Sequence, residues 1–414
     1  MRRFLALALV LVMVLSFAAC GGKTATTADE FKVGLICLHD ENSTYDKNFI
    51  DAWKAACEKA GLVEGKTYFI TTNIPEGAEA KDAALDLVDQ GCKLVMADSF
   101  GHEPYILEAA KEKPEVQFCH ATGTQAHTAG LANFHDAFAN IYQGRFIAGV
   151  VAGLKLNEMI DSGKIKADAA KIGYVGAYPY AEVKSGYTSF YLGARYVCPS
   201  ATMEVMFTNS WYDEAAEKES AQKLIADGCV LISQHADSYG APTACESAGV
   251  PDVSYNGSTE AQCPETFLIS SKINWEPYFT KIIDAAKNGK EIPADFVGTL
   301  DDGSVALTDL GKKAPAEGTA AKIAEVKAAL MDGSLQVFDT STFTVTRFDD
   351  TYNKFKKDAT RTDADGHILS YLADVDDAGD YVGETEAIKD GVFCESTGRS
   401  APYFDLDIDG ITLK

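Results

Sequence analysis

Two stretches decide the fold of this chain: GCKLVMADSFG at residues 91–101 and GCVLISQHADSYG at residues 228–240. Each begins with a glycine turn, continues as a short apolar run, and ends in Ala-Asp-Ser, an aromatic residue and glycine. The apolar run is typical of a buried strand, and the Asp and Ser after it suit the beginning of a helix. The repetition predicts two related lobes, each with a strand whose C-terminal end leads into a helix.

Alternating strands and helices extend this pattern along most of the chain. The predicted strands are short apolar runs at Lys32–Leu38, Tyr68–Thr72, Leu94–Ala97, Val116–Cys119, Lys171–Val175, Thr202–Phe207, Val230–Ser233 and Thr266–Ser271. Their alternation with helices predicts an α/β fold with parallel sheets and right-handed crossovers. We assign residues 31–137 and a returning segment 267–300 to lobe 1, 138–266 to lobe 2, and 301–414 to a C-terminal segment and extension.

The N-terminus carries the pattern of an export signal. Two arginines precede an apolar run from Phe4 to Phe17, which is shorter than the roughly 20 residues of a membrane-spanning helix. Small residues then precede Cys20, in a sequence that resembles the acylation site of bacterial lipoproteins. We expect a signal peptide at 1–19, a lipidated tether at 20–30, and an extracytoplasmic protein anchored to the bacterial cell membrane. The alternative is a plain signal peptide in which Cys20 is incidental.

The charge and the cysteine content narrow the class of protein. A formal net charge of −24 argues against nucleic acid or an anionic lipid surface as the partner. Of ten cysteines, nine remain when Cys20 is set aside, so at least one is unpaired within the chain. Cysteines in apolar strands, such as Cys92 and Cys229, are expected to be buried thiols.

Sequence motifs for catalysis and metal binding are missing. The chain has no Gly-x-Ser-x-Gly, no phosphate-binding loop and no His-Glu-x-x-His, and its seven histidines are scattered. No Cys-x-x-Cys or mixed Cys/His zinc spacing occurs. Residues 405–410 begin like a calcium loop, but their alternation of polar and apolar residues favours a half-buried strand. We therefore expect no enzyme activity, no cofactor and no metal.

Aromatic residues after the predicted strands indicate a site for a flat ligand. A ring in a loop exposes apolar surface unless it covers something, and the C-terminal edge of a parallel sheet is where ligands bind. The candidate walls are Tyr45, Phe49, Phe100, Trp211 and Trp275. The candidate polar groups between them are Asn48, Ser99, Gln234, Asp237, Asn256 and Lys272. For Phe49, which lies at helical spacing from Trp53, core packing is an equal alternative.

Several ordered motifs share the pattern of a known family. They are Asn133-Phe134, Tyr142–Gly149 (YQGRFIAG), Ile172–Gly176 (IGYVG), Asn209–Asp213 (NSWYD), Gln234–Ser238 (QHADS) and Gly333–Phe338 (GSLQVF). Together they resemble the basic membrane protein (BMP) family of lipoprotein receptors for ABC importers, similar to purine nucleoside receptors. The resemblance covers about residues 31–338. It implies a type I periplasmic-binding fold with two lobes, three crossing strands and a ligand in the hinge cleft, and an ABC permease as partner.

Within the family, the chain is similar to the branch that carries Asn-Ser-Trp-x-Asp and Gln-His-x-Asp-Ser and includes adenine binders. The nucleoside branch has Asp-Lys-Ser-Phe-Asn after the first strand, whereas residues 46–50 read Asp-Lys-Asn-Phe-Ile. That branch holds the ribose hydroxyls with an Asp, and the nearest match here is Asn256. Because a neutral amide makes a weaker hydrogen bond than a carboxylate, the resemblance favours a free nucleobase over a nucleoside.

The resemblance also implies roles for the candidate residues. The rings expected to stack on a purine are Tyr45, Phe100 and Trp211. The side chains expected to bond ring nitrogens and exocyclic groups are Ser99, Asp237 and Asn256, with Lys272 taking a ribose hydroxyl or orienting Asp237. The alternatives are another flat heterocycle such as a flavin, a signalling or adhesion lipoprotein with the same fold, and an exported hydrolase.

Overall fold

The structure is a computed structural model that describes residues 30–348, 360–373, 375 and 385–414. The predicted signal peptide at 1–19, the acylation site Cys20 and the tether before Glu30 lie outside the described residues. Among the residues that it describes, no helix combines the length and apolar character needed to cross a membrane.

In the described part of the chain, six parallel strands form the sheet of lobe 1. Numbered along the chain, they are β1 (Lys32–Ile36), β2 (Tyr68–Thr71), β3 (Cys92–Ala97), β4 (Gln117–Ala121), β5 (Phe134–Ala139) and β11 (Asp295–Gly298). Their order across the sheet is β11-β5-β4-β3-β1-β2. The strands β3 and β5 are buried almost throughout, because helices cover both faces of a parallel sheet.

Helices cover the sheet of lobe 1. They are Thr44–Lys59, Ala78–Asp89, Glu103–Glu112, Ala126–Ala129 and Glu276–Asn288. The helix Thr44–Lys59 begins after Ser43, whose hydroxyl oxygen accepts a hydrogen bond from the backbone N–H of Asp46. This cap satisfies one of the free N–H groups at the helix N-terminus.

The sheet of lobe 2 has seven described strands, of which one edge strand is antiparallel. They are β6 (Lys171–Gly176), β7 (Thr202–Phe207), β8 (Leu231–His235), β9 (Asp252–Tyr255), β10 (Phe267–Ile273), β12 (Val305–Leu307) and β20 (Ile411–Leu413), in the order β12-β10-β9-β8-β6-β7-β20. The helices of this lobe are Ile141–Asp161, Ala181–Val197, Glu214–Ala226, Gly240–Ala248 and Thr319–Met331. The first two pack closely because Gly149 has no side chain: a methyl group there would overlap the carbonyl oxygen of Phe190.

The chain passes between the two sheets three times, after β5, after β10 and after β11. We predicted that the whole segment 267–300 returns to lobe 1. The structure instead places Phe267–Ile273 beside β9 in the second sheet, so the return begins only with the helix Glu276–Asn288. Where the chain passes from one sheet to the other, an apolar strand sequence does not indicate which sheet the strand joins.

The C-terminal extension is built from short strands. They are β13 (Val345–Phe348), β14 (Thr360–Thr362), β15 (Ile368–Ala373), β16 (Thr385–Glu386), β17 (Ile388–Lys389), β18 (Val392–Phe393) and β19 (Leu406–Ile408), followed by β20. We predicted that the extension packs on one lobe. It adds β20 to the edge of the second sheet, and Ser400 N–H also donates a hydrogen bond of 2.6 Å to Asp295 Oδ1 in β11 of the first sheet.

The acidic motif at residues 405–410 forms the strand that its alternation predicted. Its carboxylates bind basic side chains of the helix Ala181–Val197. Asp405 Oδ1 lies 2.6 Å from Lys184 Nζ, and Asp409 Oδ2 lies 2.6 Å from Arg195 Nη1. The motif therefore attaches the extension to lobe 2.

All nine cysteines of the described residues are free thiols. Eight are buried, as predicted for Cys92 and Cys229, and Cys394 is half-buried.

Candidate ligand-binding site

A cleft lies between the two lobes. It is lined by Tyr45, Phe100, Thr122, Glu182, Trp211, His235, Asp237 and Tyr255. These residues come at or after the C-terminal ends of strands in both sheets. Ligands of open parallel sheets bind beyond the C-terminal ends of the strands, so the cleft is the candidate ligand site.

The two lobes touch at the rim of the cleft. The backbone N–H of Thr44 in lobe 1 donates a hydrogen bond of 3.0 Å to the carbonyl oxygen of Asp237 in lobe 2. The rings of Phe100 and Tyr180 also meet across the gap, with centroids 5.5 Å apart. The structure is therefore a closed arrangement of the lobes.

Fixed aromatic rings form the walls of the cleft. The hydroxyl of Tyr45 donates a hydrogen bond of 2.7 Å to the carbonyl oxygen of Asp98, which holds the ring in place. Trp211 packs edge-on against Tyr178, with centroids 5.2 Å apart, and Tyr178 stacks on Tyr180. The three predicted walls Tyr45, Phe100 and Trp211 thus lie together around one space.

Two carboxyl groups provide the polar edges. Asp237 is buried, and among the described residues none donates a hydrogen bond to its carboxylate oxygens. Burial raises the pKa of Asp237, and the negative charges of Asp46, Glu217 and Glu182 raise it further. A carboxyl group in such surroundings is available to a ligand that brings its own N–H or O–H donors.

The second carboxylate, Glu182, is paired with a histidine. His235 Nε2 lies 3.1 Å from Glu182 Oε1. Burial, together with the nearby charge of Arg145, lowers the pKa of His235 to about 4, so the imidazole is neutral at pH 7. A neutral imidazole with Nε2–H directed at Glu182 leaves the negative charge of that carboxylate in the cleft.

A buried arginine supports the wall formed by Tyr255. The guanidinium carbon of Arg145 lies 3.3 Å from the centroid of the Tyr255 ring, and Nη1 donates a hydrogen bond of 3.0 Å to the carbonyl oxygen of Gln234. The stacked cation stabilises the ring from behind. Arg145 is the one charged residue of the helix segment Ile141–Gly153, and its positive charge acts on Asp237, where it lowers the pKa against the effect of burial.

Comparison with known proteins gives the family. The sequence model of the Bmp family, described as PnrA-like ABC transporter substrate-binding proteins, matches residues 35–334. The chain belongs to this family. ABC solute-binding proteins are extracytoplasmic, and they bind small-molecule ligands and deliver them to permeases.

Relatives and solved structures agree with this placement. A purine-binding protein of Brucella abortus is 32% identical over 269 residues, which cover 64% of this chain and 71% of that protein. A putative ABC transporter glucose-binding protein of Haloferax volcanii is 28% identical, with 70% and 71% covered. An ABC transporter solute-binding protein of Aeropyrum pernix has a TM-score of 0.62 at 15% identity, with 74% of this chain and 92% of that chain covered. That likeness shows the two-lobed periplasmic-binding fold.

Two of the predicted walls of this Bmp-family protein lie in its core. The side chains of Phe49 and Trp275 are 0% and 1% exposed, and their ring centroids are 4.4 Å apart. Both pack on Phe279, between the helices Thr44–Lys59 and Glu276–Asn288. The core alternative considered for Phe49 is therefore the one that the structure shows, and we no longer assign either ring to the ligand.

Three of the predicted polar groups bond the protein itself. Asn48 Nδ2 donates a hydrogen bond of 2.6 Å to the carbonyl oxygen of Ile273, so it attaches its helix to β10. Ser99 Oγ donates to Glu76 Oε1 at 2.6 Å. Gln234 Nε2 donates to the carbonyl oxygens of the loop that follows β8. Each stabilises a loop or a helix beside the cleft.

Asn256 and Lys272 are not among the residues that line the cleft. Asn256 follows the wall residue Tyr255 with φ +63°, and its buried Nδ2 has no partner in the structure. Lys272 lies half-buried in β10, opposite Ala306 of β12. Their predicted contacts with a ligand stay predictions.

Five of the residues that form or support the cleft were not predicted from the sequence: Thr122, Glu182, His235, Tyr255 and Arg145. One of them carried a visible signal. A lone arginine within the apolar run of residues 141–153 is unusual unless a specific partner offsets its charge.

Proposed function

We propose that this protein captures a neutral purine, either a free base or a nucleoside, in the inter-lobe cleft and delivers it to an ABC permease. One observation carries the proposal: stacking rings surround a space whose polar edges are carboxyl groups. Aromatic rings stack on a flat heterocycle, and carboxylates accept hydrogen bonds from amino, ring N–H and hydroxyl groups. The purine-binding relative from Brucella abortus supports the same ligand class.

The choice between base and nucleoside is open to experiment. Asn256 is not among the cleft residues, so its neutral amide no longer weighs against a ribose. Asp237 and Glu182 both face the cleft, and either one can accept hydrogen bonds from ribose hydroxyls as well as from a base.

We infer that binding occurs without turnover. The aliphatic hydroxyl among the cleft residues belongs to Thr122, and it already donates to the carbonyl oxygen of Ala121. His235, the histidine of the cleft, is directed at Glu182 and lies beside no described serine or cysteine of the lining. A serine, threonine or cysteine nucleophile activated by this histidine is therefore missing from the described residues of the lining.

Calorimetric titration of refolded protein tests both proposals. Refolding removes any ligand carried over from the cell, and the titrants are adenine, guanine, hypoxanthine, their nucleosides, and glucose. We expect tight binding of at least one purine, and unchanged purine in the mixture after incubation. Tight binding of glucose alone would replace the purine assignment with a sugar, as the name of the Haloferax volcanii relative suggests. Release of free base from a nucleoside would contradict the absence of turnover.

We also propose that residues 1–19 are removed and that Cys20 is acylated. The extracytoplasmic location of the family supports an export signal at this position. A Cys20→Ser variant should leave the membrane fraction, and mass spectrometry of the wild-type N-terminus should show acyl chains. Recovery of the variant in the membrane fraction would contradict a lipid anchor at this residue.

A nucleotide should bind far more weakly than the matching nucleoside. The cleft lining offers the charged groups Asp237 and Glu182 and no lysine or arginine among its described residues. A phosphate would therefore meet like charge without a cation to bind it, which costs several kcal/mol. We expect AMP to bind at least about 100-fold more weakly than adenosine or adenine. Equal affinities in parallel titrations would contradict the proposed electrostatics.

Removing the indole of Trp211 should lower affinity without unfolding the protein. Trp211 lines the cleft and is only partly buried, and an aromatic stack on a base contributes about 1–3 kcal/mol. We therefore expect Trp211→Ala to weaken purine binding by roughly 5- to 150-fold. The matched control is Trp275→Phe in the core, which should lower the melting temperature and leave the affinity nearly unchanged. If Trp275→Phe weakened purine binding and Trp211→Ala did not, Trp275 would again be assigned to the ligand site.

A further inference from the structure

Three buried side chains of lobe 1 converge outside the ligand cleft. They are Glu103 at the start of the helix Glu103–Glu112, His120 in β4 and Asp136 in β5, and one ligand atom of each lies within 4.8 Å of the others. Glu103 is 3% exposed, and His120 and Asp136 are 0% exposed. None of the three is among the residues that line the cleft.

The hydrogen bonds of His120 fix which nitrogen is free. Nε2 lies 2.7 Å from the carbonyl oxygen of Ser99, which can only accept, so Nε2 carries the proton. Nδ1 therefore presents a lone pair, and it has no partner in the structure. Burial lowers the pKa of His120 to about 4, so the ring is neutral, which is the form that binds metals.

An unpartnered carboxylate oxygen lies opposite this lone pair. Asp136 Oδ1 is 3.8 Å from His120 Nδ1, too far for a hydrogen bond, and it too has no partner. The other oxygen, Oδ2, accepts hydrogen bonds from the backbone N–H groups of Gln125 and Ala126. Two acceptors that face one another in the core require a positive charge or a proton between them.

Backbone donors hold the third member in place. Glu103 Oε1 accepts hydrogen bonds of 2.7 and 2.8 Å from the N–H groups of Thr124 and Gln125. An imidazole whose second nitrogen donates to a carbonyl, with carboxylates held by further hydrogen bonds, is the usual surrounding of a metal site in proteins. The loop that makes these bonds begins at Thr122, which lines the cleft.

We propose that Glu103, His120 and Asp136 bind one divalent transition-metal ion of the zinc class. One imidazole nitrogen and two carboxylates are a donor set that zinc accepts, and solvent or a backbone oxygen would complete its coordination. The ion would offset the buried negative charge and hold the loop 122–126 at the edge of the ligand site. No sequence motif indicates this site, because the three ligands come from three separate elements without a recognisable spacing.

The test is a titration of the full-length, detergent-solubilised protein with ZnCl₂ after dialysis against a chelator. We expect one equivalent to bind the wild type and a rise in melting temperature. His120→Gln and Asp136→Asn should each weaken binding by about 100-fold or more. The matched control is His135→Gln, because His135 is also buried, on the neighbouring strand, but both of its nitrogens already have partners.

Absorption spectra of the wild type with Co²⁺ keep the test decisive if the variants fail to fold. Visible bands of bound Co²⁺ without thiolate charge-transfer bands support the nitrogen and oxygen ligands. Thiolate bands would assign the metal to cysteines and overturn the proposal. Failure of the wild type to bind Zn²⁺ would also overturn the proposal, and a proton shared by His120 and Asp136 would then explain the cluster. Full retention of Zn²⁺ binding by His120→Gln would overturn it as well.

Discussion

Replacing Lys184 by Met should lower the free energy of unfolding by about 3–5 kcal/mol, which is the usual effect of removing one partner of a buried ion pair. Lys184 Nζ lies 2.6 Å from Asp405 Oδ1 and 3.9 Å from Asp407 Oδ1. The side chains of Lys184 and Asp405 are 1% and 10% exposed. Without the ammonium group, two carboxylates of the extension would lose this buried partner on the helix of lobe 2.

Urea denaturation of Lys184→Met and of the control Lys47→Met measures the difference. Lys47 forms an ion pair with Asp51 at 2.8 Å, but both side chains are about half exposed, so its loss should cost less than about 0.5 kcal/mol. A change below about 1 kcal/mol in Lys184→Met would contradict the buried pair. It would also mean that the extension contributes little to the stability of lobe 2.

The parallel α/β lobes could be predicted because their signal is local. A glycine turn, an apolar run and a polar or aromatic end recur at 91–101 and 228–240, and both form the expected strands β3 and β8. The membership of β10 could not be predicted, because an apolar run suits either sheet equally well. Its place was decided by the pairing with β9, which is a contact between distant parts of the chain.

Within the candidate site, only residues that follow the ends of strands could be predicted from the sequence. Tyr45, Phe100 and Trp211 follow strands in loops or at the first turn of a helix, and they line the cleft. Phe49 occurs one helical turn after Tyr45 and points into the core, which the same sequence window does not reveal. His120 and Asp136 lie inside strands, so nothing local separates their buried polar atoms from ordinary strand residues.

Replacing Asp237 by Asn should weaken purine binding by roughly 10- to 150-fold, which corresponds to a charged hydrogen bond of about 1.5–3 kcal/mol. The expectation rests on a carboxylate in the cleft whose oxygens bond none of the described residues. Ligand N–H groups would stabilise the charged form and lower the pKa of Asp237 from its raised value. In the wild type, purine affinity should therefore rise as the pH rises through the raised pKa of Asp237. The Asp237→Asn variant should not show this pH dependence.

The same substitution should not destabilise the protein without ligand. A carboxyl group whose folded pKa is raised binds more protons in the folded than in the unfolded state, so its contribution to stability falls as pH rises from the unfolded to the folded pKa. Asparagine stays neutral, so it removes the loss of folding stability that comes from ionising a buried carboxyl group. The melting temperature of the ligand-free variant near neutral pH should therefore equal or exceed that of the wild type.

The control that separates ligand contact from mere burial is Asp252→Asn. Asp252 is equally buried in lobe 2, and burial raises its pKa to about 7, but Ser254 and Thr266 donate hydrogen bonds to its two oxygens. Its replacement should leave purine affinity and its pH dependence unchanged. If Asp237→Asn instead bound purine as tightly as the wild type while losing stability, Asp237 would be a structural carboxyl group. The polar edge of the site would then have to be Glu182 alone.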